Sequence, residues 1–332
     1  MKLRRLGGTG TLVSELCLGT MTFGRNDWGV GSLDEGAARD LVSLALERGV
    51  NFFDTADIYS RGESEVLLGR ALEGRRDRAV IATKVRGQMS DDDRNACGLS
   101  RRHVVAACEA SLRRLGTDRI DLYQVHGWDP LTPLEETLEA LDLLVRQGKV
   151  LYVGCSNLAA WQLAKALGLQ RQHGWARFVT LQPYYSLVGR EVEHELVPLC
   201  LDAGLGLLPW SPLAGGYLTA KYRHGGEGRR AGDRQFPPVD PVRGEQVLDA
   251  LEAVAREHCV SPARVAVAWV LGRPAVTAPI VGARSRAQLE DVLAAAELAL
   301  APEQRARLDA ASALPVPYPQ WMIAFQGQNR PL

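Results

Sequence analysis

The sequence has no excess charge of either sign: 39 Lys and Arg stand against 39 Asp and Glu in 332 residues. With no basic run, and no basic residues interleaved with aromatic ones, a nucleic-acid partner is not expected. No uninterrupted apolar stretch approaches the roughly 18 residues that a membrane span needs, so no membrane partner is expected either. The opening residues MKLRRLGG lack the apolar centre of a secretory signal. Cysteine is sparse and its spacing forms no CxxC pair, since Cys17, Cys97, Cys108, Cys155, Cys200 and Cys259 are scattered. That pattern points to reduced thiols and a cytoplasmic location, not to a disulfide frame.

Several familiar motifs are also missing. GGTG at 7–10 is not followed by a third glycine at the spacing of a dinucleotide fingerprint, nor by a helix pattern. His194-Glu195 opens like HExxH, but Pro198 stands where the second His belongs, so no zinc site follows. Asp91-Asp92-Asp93 lacks the glycine and the terminal Glu of a calcium loop. His103, His173, His224 and His258 show no ligand spacing, and no metal is expected. No sequence repeat of fixed period is present.

What the chain does contain is an alternation. After a small hairpin at 2–6 and 11–13, short apolar runs end in polar or glycine residues. They fall at 16–18, 52–53, 79–83, 120–125, 150–154, 178–181, 205–209 and 276–281. Between them lie helix-period segments. One is capped by Ser32 with Glu35, carries Ala38, Leu41, Val42 and Ala45 on one face, and ends at Gly49. Another opens on Thr132-Pro133-Leu134-Glu135, read as a capping box with proline at the first helical position. Others are expected at 63–72, 100–115, 191–203, 244–258, 262–272, 285–296 and 302–312. Eight strands alternating with helices imply a (β/α)8 TIM barrel. Residues 1–332 are read as a single barrel domain with an N-terminal β-hairpin, long loops and a C-terminal tail over the barrel mouth.

In such a barrel the C-terminal strand ends converge on one mouth, so their residues meet there. Asp54 ends the second strand with Tyr59 in the loop beyond it. Lys84 ends the third, His126 the fourth, Ser156-Asn157 the fifth, Gln182 the sixth and Trp210-Ser211 the seventh. A carboxylate, a phenol, an ammonium and an imidazole make up equipment for delivering a proton to an oxygen. Asp54 would hold Lys84, and Lys84 would favour the phenolate and lower the pKa of Tyr59. His126 would orient a carbonyl oxygen or share its proton. None of the four is a nucleophile of the Ser or Cys type, so the attacking group must come from a cofactor.

FDTADIY, IATKV, DLYQVH, VGCSN, LQPYYS, PWSPLAGG and PIVGARS resemble, in order and spacing, the motifs of the aldo-keto reductase superfamily. The likeness runs from about residue 2 to 313 and is similar to the bacterial branch that shares motifs with potassium-channel beta subunits. It implies reduction of aldehydes or ketones, with Asp54, Tyr59, Lys84 and His126 as the catalytic set and Tyr59 as general acid. It places Asp54, Ser156, Asn157, Gln182 and Trp210 around the nicotinamide, with Thr20 and Met21 under the ribose. Ser211, Pro212, Leu213, Gly215 and Lys221 match the pyrophosphate segment. Gly282, Arg284, Gln288 and Asp291 match positions near the adenosine and its 2′-phosphate. Gly282 and Gln288 stand where the mammalian reductases carry lysine and arginine, which leaves Arg284, with Arg286 beside it, as the phosphate partner. NADP(H) is accordingly expected ahead of NAD(H). Trp28, Trp128 and the tail aromatics Tyr318, Trp321 and Phe325 are expected as pocket walls, suiting a small-molecule carbonyl of apolar or aromatic character. The competing reading is a cofactor-binding regulatory subunit resembling the channel beta subunits. The oligomeric state is not addressed by the sequence.

Overall fold

The computed structural model describes residues 1–25, 32–226, 230 and 235–328. Strands β1 (Leu3–Arg5) and β2 (Leu12–Ser14) pair antiparallel, Leu3 opposite Ser14. The main sheet is built from β3 (Cys17–Gly19), β4 (Phe52–Asp54), β5 (Val80–Val85), β6 (Ile120–Val125), β7 (Val150–Ser156), β8 (Phe178–Gln182), β9 (Gly206–Leu207) and β10 (Ile280–Val281). These eight strands run parallel in the order β10-β3-β4-β5-β6-β7-β8-β9. The two outer strands meet through backbone bonds. Leu207 N donates to Ala275 O, Thr277 N to Leu207 O and Ile280 N to Pro209 O, each at 2.8 Å. The sheet therefore closes on itself as a (β/α)8 barrel.

Helices α1 (Glu35–Glu47), α2 (Glu63–Ala71), α3 (Arg101–Leu115), α4 (Leu134–Arg146), α5 (Ala160–His173) and α6 (Leu196–Ala203) connect successive strands. Helices α7 (Pro241–His258) and α8 (Pro262–Leu271) lie between β9 and β10; α9 (Arg286–Leu293), α10 (Pro302–Ala311) and α11 (Gln320–Gly327) follow. Their apolar stripes cover the outside of the sheet. On α1 the buried residues include Ala38, Leu41, Val42 and Ala45, at the i, i+3, i+4, i+7 spacing that one helix face requires. Among the described residues no helix is long and apolar enough to cross a membrane.

The hairpin plugs the N-terminal end of the barrel. Leu6 and Val13 are fully buried and pack with Cys17, Phe52, Ala82, Leu122 and Leu208 inside it. Arg4 donates to the carbonyls of Leu271 and Val276. Gly7 makes the closest approach, at φ +57°, where a Cβ would sit 2.1 Å from the Val179 carbonyl oxygen. A side chain there would lever the hairpin off the sheet.

Several local expectations are corrected. The cap of α1 is Asp34, whose Oδ1 accepts from Ala37 N at 2.9 Å, so Ser32 and Glu35 form no capping box. Pro133 is itself the N-cap of α4, and Thr132 donates its hydroxyl to Asp129 Oδ2. Residues 191–193 form a short 3-10 turn ahead of α6. In the stretch 276–281 only Ile280 and Val281 are strand, with Val276 bridging separately to Leu207. Strands β5 and β7 run further than the apolar runs suggested, so Lys84 and Ser156 lie inside their strands.

The tail helix α11 meets the rim through Gln320 Nε2, which donates to His194 O on the loop after β8. Its aromatics do not form a wall. Tyr318, Trp321 and Phe325 are 73%, 48% and 61% exposed.

Candidate active site

Asp54 sits at the top of β4 with its backbone pinned, since Thr20 gives both its amide and its hydroxyl to Asp54 O. Its carboxylate faces the barrel axis. Lys84 Nζ lies 2.5 Å from Asp54 Oδ1, 2.8 Å from Thr55 O and 3.4 Å from the Tyr59 hydroxyl. The three ammonium protons thus all have partners. Asp54 Oδ2 accepts from Gln182 Nε2 at 2.8 Å and from Gln124 Nε2 at 3.3 Å.

Tyr59 projects from the turn Tyr59–Gly62, which folds by an unusual backbone path. Ser60 and Arg61 both take left-handed φ, 49° and 50°, ahead of Gly62. Such non-glycine residues are costly and persist only where surrounding bonds fix them. Here the Ser60 hydroxyl donates to the carbonyls of Phe23 and Arg25. The Tyr59 ring stands edge-on to His126, 5.8 Å between centroids. His126 follows β6, and its amide donates to Val85 O.

The electrostatics follow from burial. Desolvation pushes the Tyr59 phenol above its ordinary pKa, and the nearby Lys84 charge only partly offsets this. The expected lowering is therefore not what this site shows. Burial pulls Lys84 down, but Asp54 and Tyr59 together more than compensate, so the ammonium is held charged. His126 is depressed to about 3 by burial, then by Lys84 and Arg86, and is a neutral imidazole. Asp57 is fully buried and raised to about 7, by burial and then by the carboxylate of Glu65. Its Oδ1 accepts from Ile58 N, while Oδ2 has no partner among the described residues.

A cleft of about 640 Å³ runs from Tyr59 and His126 across the mouth to Arg284, Gln288 and Asp291. Most residues expected around a cofactor line it: Met21, Asp54, Ser156, Asn157, Gln182, Trp210, Ser211, Pro212, Leu213, Gly215, Lys221 and Gly282. Thr20 does not. It is fully buried, and its hydroxyl is engaged by Asp54 O and Ser64, while its neighbours Met21 and Thr22 form the wall. Lys84 lies beneath the cleft and reaches it through Tyr59. Trp128 packs partly buried against Trp161, and neither Trp128 nor Trp321 lines the cleft. Trp28 falls outside the described residues.

Partners within the cleft constrain what each residue can offer. Asn157, at φ 54°, donates to His126 O and accepts from Trp210 Nε1. Trp210 lies against Tyr184 and stacks with Phe236, 5.8 Å between centroids at 14°. Gln288 caps α9 with Ser285, its Oε1 accepting from Arg284 N. Asp291 is paired with Arg264 and accepts from the Ser261 hydroxyl. Sequence reading missed Thr22, Thr219, Tyr222, Phe236 and Ser261 as wall residues. Phe236, an aromatic between polar loop and two prolines, carried the one signal that could have marked it.

The aldo/keto reductase family model matches residues 15–313. The chain is 40% identical over 311 residues to an uncharacterized oxidoreductase, YrpG, of Bacillus subtilis, covering 90% of this chain and 92% of that one. It is 36% identical over 327 residues to versiconal hemiacetal acetate reductase of Aspergillus parasiticus, covering 92% and 95%. To an aldo-keto reductase, AMT2, of Alternaria alternata it is 37% identical over 332 aligned residues, covering 92% and 90%.

Proposed function

The chain belongs to the aldo/keto reductase family, and from that premise we propose that it reduces the carbonyl group of small aldehydes or ketones with NADPH, Tyr59 supplying the proton. The observation that carries this reading is the chain Asp54–Lys84–Tyr59, with distances of 2.5 and 3.4 Å, set beside a neutral His126 at one end of the long cleft.

The residues present suit a nicotinamide dinucleotide. The cleft is elongated, and its volume lies within the roughly 300–1,000 Å³ of ligand sites. Gln182 Oε1, with no partner among the described residues, faces it as an acceptor, and Ser156 and Asn157 stand beside it. The Lys221 ammonium, resting over the Tyr222 ring, lines the middle where a pyrophosphate would be held. Arg284 lines the far end, which favours NADP(H) over NAD(H). When bound, the cofactor supplies a hydride to the carbonyl carbon.

The chain's own residues handle the charge that then develops on oxygen. A raised pKa keeps the Tyr59 phenol protonated throughout neutral pH, so the acid form is always ready. As the proton leaves, the fully buried Lys84 ammonium 3.4 Å away stabilises the phenolate. Asp54 keeps Lys84 charged and in place. A neutral His126 can offer an N–H to the carbonyl oxygen, yet it carries no imidazolium proton to give up. Tyr59 is therefore preferred as the acid.

The test is a panel of aliphatic and aryl aldehydes and ketones, following nicotinamide absorbance with NADPH and with NADH. Turnover of at least one carbonyl class with NADPH preferred supports the reading. Tight NADPH binding with no turnover across the panel would favour a regulatory, cofactor-sensing role.

A further inference from the structure

The upper filling of the barrel is polar where bulky branched side chains ordinarily pack. Three alternate strands, β4, β6 and β8, contribute Asp54, Gln124 and Gln182. Gln124 is fully buried in mid-strand, between the buried Tyr123 and Val125, and does not line the cleft. An amide placed there without partners would be destabilising, and its partners are the two residues at the business end of the site.

Gln124 Nε2 donates to Asp54 Oδ2 at 3.3 Å, and its Oε1 accepts from Gln182 Nε2 at 3.4 Å. Gln182 Nε2 also donates to Asp54 Oδ2 at 2.8 Å. Both N–H groups of Gln182 are thereby engaged inward, and only its carbonyl oxygen is left for the cleft. Flipping that amide would set its oxygen against both Asp54 Oδ2 and Gln124 Oε1. The triangle consequently fixes two things at once: the carboxylate that holds Lys84, and the group that Gln182 presents.

We propose that Gln124 is a positioning residue of the reduction, locking Gln182 with its carbonyl toward the cleft and steadying Asp54 under Lys84, so that one buried amide sets both the nicotinamide seat and the proton-donating chain. An outward carbonyl can only accept a hydrogen bond, and the carboxamide N–H of a nicotinamide is a matching donor. The inference rests on the reading under Proposed function for the identity of the bound ring.

Two variants test it in the full-length protein. Gln124→Met keeps length and apolar bulk but removes both hydrogen bonds. NADPH affinity, read by fluorescence titration, should fall about tenfold, and kcat by about ten- to a hundredfold, with the aldehyde KM near wild type. Gln124→Glu keeps the shape. Protonated, it can donate to Asp54 and accept from Gln182; ionised, it repels Asp54. Its kcat relative to wild type should therefore rise as pH falls, a dependence that altered packing would not produce. Wild-type kcat and NADPH affinity in a folded Gln124→Met, or a Gln124→Glu profile parallel to wild type, overturns the proposal. If Gln124→Met does not fold, the Gln124→Glu profile decides. Should the wild-type protein reduce no carbonyl, the functional reading fails on its own, and NADPH titration of the variants still decides the role of Gln124.

Discussion

The rings of Tyr59 and His126 meet edge to face, 5.8 Å apart at 75°, and only one of them holds a transferable proton at neutral pH. Burial and the Lys84 charge keep His126 neutral down to about 3, whereas burial keeps the Tyr59 phenol protonated well into the alkaline range. The division of labour is electrostatic before it is geometric.

The His126 shift predicts a pH dependence of stability. A histidine with a depressed folded pKa binds fewer protons than its unfolded counterpart between about 3 and the unfolded value near 6.5. Stability contributed through this group is therefore lost as pH falls through that window and is flat above it. Denaturant titrations of wild type and His126→Asn should converge as pH drops from about 7 to 4. A constant difference between the two proteins would contradict the neutral assignment.

Asp57 carries the opposite sign. Its folded pKa of about 7 lies above the ordinary aspartate value of 3.8, so the folded state holds the extra proton and stability falls as pH rises through that interval. Asp57→Asn keeps an oxygen for the Ile58 amide and removes the buried charge. The variant should be more stable than wild type at about pH 8, by on the order of 1–3 kcal/mol, with no advantage near pH 4. A variant less stable at both pH values would mean that the carboxylate has a partner supporting it.

Most of the barrel was legible because each inner strand is a compact apolar run, and because strand ends in such a barrel must converge. That logic brought Asp54, Tyr59, Lys84 and His126 together from the order of residues, whereas the positions further along the cleft came only with the family resemblance. It could not see through a strand. Gln124 lies between two buried apolar residues and read as core, since period-two alternation cannot say that a barrel interior is polar at one level. Asp57 stood in a segment read as loop, where a carboxylate is ordinarily solvated. The tail aromatics misled for the converse reason: Tyr318, Trp321 and Phe325 suggest a wall by composition, but composition does not tell which surface a terminal helix meets. Asp34 and Ser32 were both competent caps, and only the start of α1 decides between them.

Cofactor preference should depend on Arg284. It lines the far end of the cleft, and its guanidinium can hold a phosphate bidentately. Arg284→Ala should weaken NADPH binding by about tenfold or more, on the order of 1.5–3 kcal/mol, with NADH affinity nearly unchanged. An equal loss for both cofactors would place the 2′-phosphate elsewhere.

The most direct measurement is the single-turnover rate of aldehyde reduction by Tyr59→Phe with NADPH already bound. The substitution keeps the ring against His126 and removes the hydroxyl 3.4 Å from Lys84 Nζ. The rate should fall by roughly 10²–10⁴, the ordinary worth of a positioned acid, while the NADPH dissociation constant stays near wild type. Lys84→Met should also slow the step, and the double variant should be little slower than Tyr59→Phe, because both act on one proton. A Tyr59→Phe protein that keeps more than about a tenth of the wild-type rate, with hydride transfer shown to be limiting, would contradict Tyr59 as the acid.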